Sequence, residues 1–290
     1  MEGPTSHFWF SQRLRLHYVD WGNEGAPLLL MIHGGRDHCR NWDWVARRLR
    51  DRFHIVAPDL RGHGDSAWAS GGAYDLPNHV YDIAQLVHQV GETPITILAH
   101  SMGAAVALNY AGAFSRHVKK LIAIEGLGPS PEMAAELAQQ TIDQRVRFWV
   151  KTRRENSGRN PRKYPTIDDA VARMQEENPH LNPEQARHLT IHGAHQNEDG
   201  TFSWKFDNYA RFGGGVAGFS LDDQHKLWSL ITCPVLLVRG EESWASDPAV
   251  DGRIKHFQNA RLVNFKDAGH WVHHDKLDGF LAEAEAFLAQ

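Results

Sequence analysis

The sequence has little of several features that mark particular classes of protein. Two of its 290 residues are cysteine, Cys39 and Cys233, and neither sits in a CxxC or zinc-ligand spacing, so we expect two free thiols. No window approaches about 18 uninterrupted apolar residues, and the N-terminus lacks a basic segment followed by an apolar one. These absences predict a cytoplasmic protein without a membrane span.

Charge of one sign is also scarce. The chain has 31 basic and 35 acidic residues, a net charge of −4, and no long run of either sign. A surface that follows phosphates or an anionic membrane needs such a run. Nucleic acid and membranes are therefore not expected partners.

Histidine is abundant, at 19 residues, but its spacing does not predict a metal site. His270, His273 and His274 are three and four residues apart without the intervening acid of a zinc-binding helix. Gly62-x-Gly64-x-x-Ala67 imitates a dinucleotide-binding fingerprint, yet no acidic residue ends a second strand about 20 residues later. We therefore expect neither a metal nor a cofactor.

Apolar runs alternate with amphipathic segments over the first 128 residues. An N-terminal hairpin is predicted at 7–10 and 14–19, and buried strands at 27–32, 54–58, 95–99 and 121–124. Helices are predicted at 42–50, 75–90 and 102–113. Successive strand–helix units imply an α/β fold with a mostly parallel sheet flanked by helices.

The alternation stops after residue 128 and resumes near residue 224. The intervening segment is polar, helical and rich in Arg, Glu and Gln; after it we predict a strand at 234–238, a helix at 248–257, a strand at 261–265 and a final helix from about 274. We therefore predict a core of residues 1–128 and 224–290 with an inserted helical cap over 129–223. The cap aromatics that could roof an apolar pocket are Phe148, Trp149, Phe202, Trp204, Phe206, Tyr209 and Phe212.

One serine stands between a buried strand and an Ala-rich helix, in Ala99-His100-Ser101-Met102-Gly103. A sharp strand-to-helix turn crowds the chain, so it needs small residues two positions either side of the serine; Ala99 and Gly103 meet that need. The pattern predicts a nucleophile elbow with Ser101 at its tip.

With His33-Gly34-Gly35 and Ala268-Gly269-His270-Trp271, this elbow makes the chain resemble the α/β-hydrolases over nearly its full length. The order of the motifs, nucleophile before histidine, is the order in that family. The resemblance implies that Ser101 is the nucleophile and His270 its base. It also implies that the backbone N–H groups of Gly35 and Met102 form the oxyanion hole.

The acid of the triad departs from the common family pattern. Most similar hydrolases have Asp three residues after the glycine that ends the seventh strand, but this chain has Ser243 there, after Gly240. Some relatives instead carry a carboxylate after the sixth strand, where this chain has Glu125. A carboxylate at the end of an apolar strand needs a partner such as imidazole. We predict Glu125 as the acid, Glu242 as the reserve and Asp247 as a weaker third.

These residues predict a cofactor-independent serine hydrolase that cleaves a carboxylic ester, thioester or lactone through an acyl-Ser101 intermediate. A C–C hydrolase of vinylogous diketones and a non-catalytic binding protein on the same scaffold are the alternatives. Serine as nucleophile argues against the dehalogenase and epoxide-hydrolase branches. We expect a small-molecule substrate with an apolar or aromatic acyl part, and a monomer or homodimer.

Overall fold

An eight-stranded, mostly parallel sheet forms the centre of the computed structural model, which describes residues 3–91, 94–210 and 218–290. Its strands, numbered along the chain, are β1 (Thr5–Ser11), β2 (Leu14–Asp20), β3 (Leu28–Ile32), β4 (His54–Pro58), β5 (Ile95–His100), β6 (Val118–Ile124), β9 (Val235–Gly240) and β10 (Ala260–Phe265). They lie in the order β1-β2-β4-β3-β5-β6-β9-β10; β1 pairs antiparallel with β2, β2 pairs antiparallel with β4, and the other pairs are parallel. This sheet confirms the α/β prediction.

Helices cover both faces of the sheet, which explains why its central strands are apolar throughout. One buried cluster joins the sheet to α2, α3 and α8, and a second joins the opposite face to α1 and α10. The helices are α1 (Asp43–Leu49), α2 (Leu76–Val90), α3 (Met102–Ala113), α4 (Pro131–Ala138), α5 (Ile142–Ser157), α6 (Ile167–Glu177), α7 (Pro183–Gly193), α8 (Leu221–Ser229), α9 (Val272–Asp275) and α10 (Leu277–Ala289). None of these helices has the length and apolar character needed to cross a lipid bilayer.

Between β6 and β9 the chain leaves the sheet. It forms α4 to α8 and a short antiparallel pair, β7 (Ala194–Gln196) and β8 (Phe202–Trp204). Helix α7 contacts the body of the molecule: His38 Nε2 lies 2.9 Å from the carbonyl oxygen of Leu189, and His188 Nε2 lies 3.1 Å from Asp43. Helix α8 begins at Leu221 and packs its Trp228 into the sheet core.

The predicted helix at 248–257 is wrong. Only Arg253–His256 forms a short 3-10 turn there. The Asp247 carboxylate instead accepts the N–H of Ala249 at 2.8 Å, and Gly252 has φ +86°, a left-handed conformation that interrupts a right-handed helix.

The carboxyl ends of the parallel strands meet at one edge of the sheet, the usual location of a site in such folds. Here Ser101 directly follows β5 and Glu125 directly follows β6. Gly103 allows the elbow to sit close to the end of β3, because a Cβ at this position would lie 2.3 Å from the carbonyl oxygen of His33. A side chain there would push α3 away from the loop that follows β3.

Candidate active site

Ser101 lies at a strained turn between β5 and α3. Its φ of 52° and ψ of −119° are rare for a residue with a side chain. The backbone is held there from the neighbouring strand, since the N–H of Ser101 donates to the carbonyl oxygen of Ile124 at 2.8 Å. This geometry turns the hydroxyl out of the sheet edge and towards the loop that follows β10.

His270 stands in that loop and contacts both other members of the predicted triad. Its Nε2 is 2.8 Å from Ser101 Oγ, and its Nδ1 forms a hydrogen bond with the Glu125 carboxylate. A carboxylate only accepts, so Nδ1 carries the proton and Nε2 presents a lone pair to the serine hydroxyl. The imidazole is therefore oriented to take the proton of Ser101.

Glu125 directly follows β6 in a left-handed conformation, with φ 55°. Its side chain is fully buried, so an unpaired charge there would be costly. Three donors face it: His270 Nδ1–H, the Ser243 hydroxyl at 2.7 Å and the Gly240 N–H at 3.2 Å. These bonds provide partners for the buried carboxylate oxygens, which would be costly to bury without them.

The two alternative acids lie elsewhere. The carboxylate of Glu242 is 3.3 Å from Nε2 of His180, and that of Asp247 accepts hydrogen bonds from Ala249 and Asn264. Ser243 occupies the position where the family resemblance places the usual acid, and its hydroxyl donates to Glu125. The loop after β9 thus still contacts the predicted acid, through a hydroxyl instead of a carboxylate.

The predicted oxyanion donors border the same space. A Cβ on Gly35 would be 3.8 Å from Met102 Sδ, so the two residues are neighbours. Within the described residues, neither N–H donates to a protein acceptor. His33 orients this loop: its Nδ1–H donates to the carbonyl oxygen of Gly34 at 2.6 Å, while its Nε2 accepts the N–H of Leu60 at 2.9 Å. Because a trans peptide points its C=O and N–H in opposite directions, this bond sets the direction of the Gly35 N–H.

His100 is a neighbour that the sequence did not identify as part of the site. Its Nε2–H donates to the backbone oxygen of His270 at 2.9 Å, which ties the loop after β10 to the end of β5. Burial lowers the pKa of His100 well below its usual value, so the ring is neutral and keeps this single donor. In the sequence, only its position inside the nucleophile motif indicated that His100 lies near the site.

A cavity of about 770 Å³ has in its wall Gly35, a predicted oxyanion donor, and Trp271, which directly follows His270. Of the predicted cap aromatics, Trp204 and Phe206 line it. Phe148 and Trp149 are exposed on α5 instead, and Phe212 lies outside the described residues. The aromatic lining of this cavity therefore comes from the segment around β8, from Tyr164 and from Trp271.

Among the residues that the structure describes, two groups of side chains have the spacing of metal ligands, but both already have partners within the protein. His17, Cys39 and Asp59 form the first; the Asp59 carboxylate accepts from His17 Nδ1 and from the backbone N–H of Cys39, each at 2.7 Å. Asp43, His188 and His192 form the second. There the Arg40 guanidinium lies 2.6 Å from Asp43 and supplies the positive charge that a metal would bring.

Buried histidines make the fold sensitive to acid. Burial lowers the pKa of His33 and of His274 from 6.5 to about 3. Because the unfolded chain binds these protons more readily, the stability is fully present above about pH 6.5 and is lost as the pH falls towards 3. Each such histidine is expected to remove about 1 kcal/mol of unfolding free energy per pH unit between pH 6 and 5.

Urea unfolding at several pH values measures this slope. The variant His274→Gln should reduce the slope by about 1 kcal/mol per pH unit, whereas His88→Gln, at an exposed position on α2, should leave it unchanged. An unaltered slope in the His274 variant would contradict the assignment of a neutral buried ring.

Comparison with known proteins adds independent findings. A family model described as alpha/beta hydrolase fold matches residues 27–277. Lipase LipV from Mycobacterium tuberculosis is 33% identical over 128 residues, which is 44% of this chain and 47% of the lipase, so this chain spans less than half of that relative. Esterase Rv0045c from the same organism is 24% identical over 280 residues, covering 95% of this chain and 87% of the esterase.

Among solved structures, the thioesterase domain from the curacin biosynthetic pathway superposes with a TM-score of 0.84 at 22% identity. The superposition covers 98% of this chain and 100% of that domain. At this level of identity the likeness concerns the fold.

Proposed function

Because the chain belongs to the alpha/beta hydrolase fold family, we propose that it cleaves a carboxylic ester, thioester or lactone through an acyl-Ser101 intermediate. The observation that carries the proposal is the continuous hydrogen-bond chain from Ser101 Oγ through His270 to Glu125. A serine hydroxyl is a weak nucleophile at neutral pH, and this chain supplies the base that it needs.

The reaction follows from the hydrogen bonds among these groups. His270 Nε2 takes the proton as Ser101 Oγ attacks the substrate carbonyl carbon, and Glu125 stabilises the imidazolium that forms. The N–H groups of Gly35 and Met102 stabilise the negative oxygen of the tetrahedral intermediate. His270 then returns the proton to the leaving alcohol or thiol, and in the second half of the cycle it activates the water that releases the acid.

We assign residues 129–223 to a cap over this site. The support is their place in the chain between β6 and β9 and the bonds from α7 to the loop after β3. Trp204, Phe206 and Trp271 would contact an apolar or aromatic acyl part, since they line the cavity that reaches Gly35.

A fluorophosphonate probe tests the proposal directly, because it forms a covalent bond with Ser Oγ and releases fluoride only where the serine is activated. Peptide mapping by mass spectrometry is expected to place the adduct on Ser101. The Ser101→Ala variant should stay unlabelled, and Ser229→Ala, at an exposed position on α8, should label like the native protein.

Substrate class is then measured with a panel of esters, acyl thioesters, lactones and one vinylogous diketone. Hydrolysis of the first three groups with an adduct at Ser101 supports the proposal. Cleavage of the diketone alone would assign the C–C hydrolase reaction instead, and a protein without adduct or turnover would be a binding protein on this scaffold.

A further inference from the structure

The cavity lined by Gly35 and Trp271 has more basic than acidic side chains in its wall. Four arginines line it, contributed by the loop after β3, by the segment after α5 and by α6: Arg36, Arg159, Arg162 and Arg173. Gly35, whose N–H is a predicted oxyanion donor, lines the same cavity, so a ligand that fills the cavity borders the predicted oxyanion hole. A charge preference of the cavity would therefore act on the substrate of Ser101.

The acidic residues of the cavity are already engaged. Glu177 pairs with Arg173, and the Asp207 carboxylate accepts the Tyr74 hydroxyl and the Tyr209 N–H. The other three arginines have no carboxylate within ion-pair distance among the residues that the structure describes. The donors to Asp207 are neutral and leave its charge in place, so four arginines against Glu177 and Asp207 give the wall a formal net charge of +2, which attracts an anion.

Two contacts of Tyr164 position hydrogen-bond donors along the cavity wall. The Arg162 guanidinium lies 5.3 Å from the ring centre of Tyr164, which holds it against a buried aromatic side chain. The Tyr164 hydroxyl accepts the indole N–H of Trp204 at 3.2 Å. Within the described residues the tyrosine proton has no acceptor, so it stays available to a ligand.

Arg36 reaches the cavity from the oxyanion loop. It directly follows Gly35 and has φ 59°, a conformation that a non-glycine residue rarely adopts. Such strain is frequent at ligand contacts, where the surrounding structure holds the residue in place. Guanidinium groups bind carboxylate and phosphate oxygens through paired N–H donors, so these two anions fit the wall best.

We propose that this cavity binds an anionic group, a carboxylate or a phosphate, carried by the substrate of the Ser101 reaction. Arg159 and Arg162 form the main contact, with Arg36 nearer to the reacting carbonyl, and the aromatic side chains contact the uncharged part of the substrate. The inference rests on the proposed function and deepens it by naming the charge of the substrate.

Two matched substrate pairs test the proposal and distinguish where the anion lies. The first is the 4-nitrophenyl monoester of glutaric acid and its neutral methyl ester, which differ in the acyl part. The second is one acyl thioester of 4′-phosphopantetheine and of pantetheine, which differ in the leaving group. In at least one pair, kcat/KM is expected to be about 10-fold or more higher for the charged member.

The double variant R159Q/R162Q should bring that ratio close to one, because glutamine keeps hydrogen-bonding capacity but removes the charge. The matched control is Arg48→Gln, an exposed arginine on α1, which should preserve the ratio. Both arginines of the double variant are exposed, and thermal unfolding verifies that the variant folds.

Calorimetric titration of the native protein and the double variant with glutarate and with 4′-phosphopantetheine measures the same preference without turnover. Equal kcat/KM within both pairs, together with no binding of either anion, would overturn the proposal, as would a preference that survives in R159Q/R162Q. Hydrolysis of the neutral substrates with an adduct at Ser101 would still support the proposed function, so the two failures are distinguishable.

Discussion

Replacement of Ser101 by alanine is expected to lower kcat/KM for the best ester or thioester by about 10⁴- to 10⁶-fold. The reason is chemical: alanine has no atom that can form the acyl intermediate, so only the oxyanion donors and substrate binding remain. Single-turnover assays should show no acyl-enzyme in the variant. Because Ser101 has φ 52°, alanine is strained there to a similar degree as serine, and the thermal stability should change little.

A double-variant comparison tests whether Ser101 and His270 act as one unit. His270→Ala alone should cost about as much activity as Ser101→Ala, and the two together should cost no more than either alone, because each removes the same step. Additive losses would mean that His270 acts independently of the 2.8 Å contact with Ser101.

The second large effect is expected for Glu125→Gln, at about 10³- to 10⁴-fold in kcat. Glutamine has the shape of glutamate, but its amide can donate a hydrogen bond to Nδ1. That donation stabilises the tautomer with the proton on Nε2, which then faces Ser101 with a hydrogen instead of a lone pair. KM should change much less than kcat, since the substitution lies on the side of His270 away from Ser101.

Glu242→Gln is the matched control for this prediction. Glu242 pairs with His180, so the same isosteric change should leave kcat within about threefold. If Glu242→Gln caused the large loss and Glu125→Gln did not, the acid would have to be reassigned to the loop after β9.

Much of the fold could be predicted from the sequence because its strongest signals are local. Continuous apolar runs predicted the central strands, and the small residues around Ser101 predicted the sharp turn. The helix at 248–257 failed because its outcome depends on Asp247 bonding to the backbone of Ala249 and on the left-handed Gly252, which periodicity does not reveal.

In the site, the least predictable feature was the support of the acid. Ser243 and Glu125 are 118 residues apart, and their hydrogen bond follows from the adjacency of β6 and β9 in the sheet. From the sequence, Ser243 was noted only because it stands where most similar hydrolases have an aspartate. The arginines of the cavity could not be predicted either, because an Arg-rich segment without regular spacing does not indicate which side chains face the site.

Ser101 and Glu125 both have positive φ angles, so the predicted catalytic centre contains two residues with a strained backbone. Each such conformation costs about 1–3 kcal/mol in a residue with a side chain. Glycine would relieve that cost at either position while removing the hydroxyl or the carboxylate. Selection for heat resistance alone would therefore favour variants without the triad, and a thermostabilised form of this protein has to obtain its gain elsewhere in the fold.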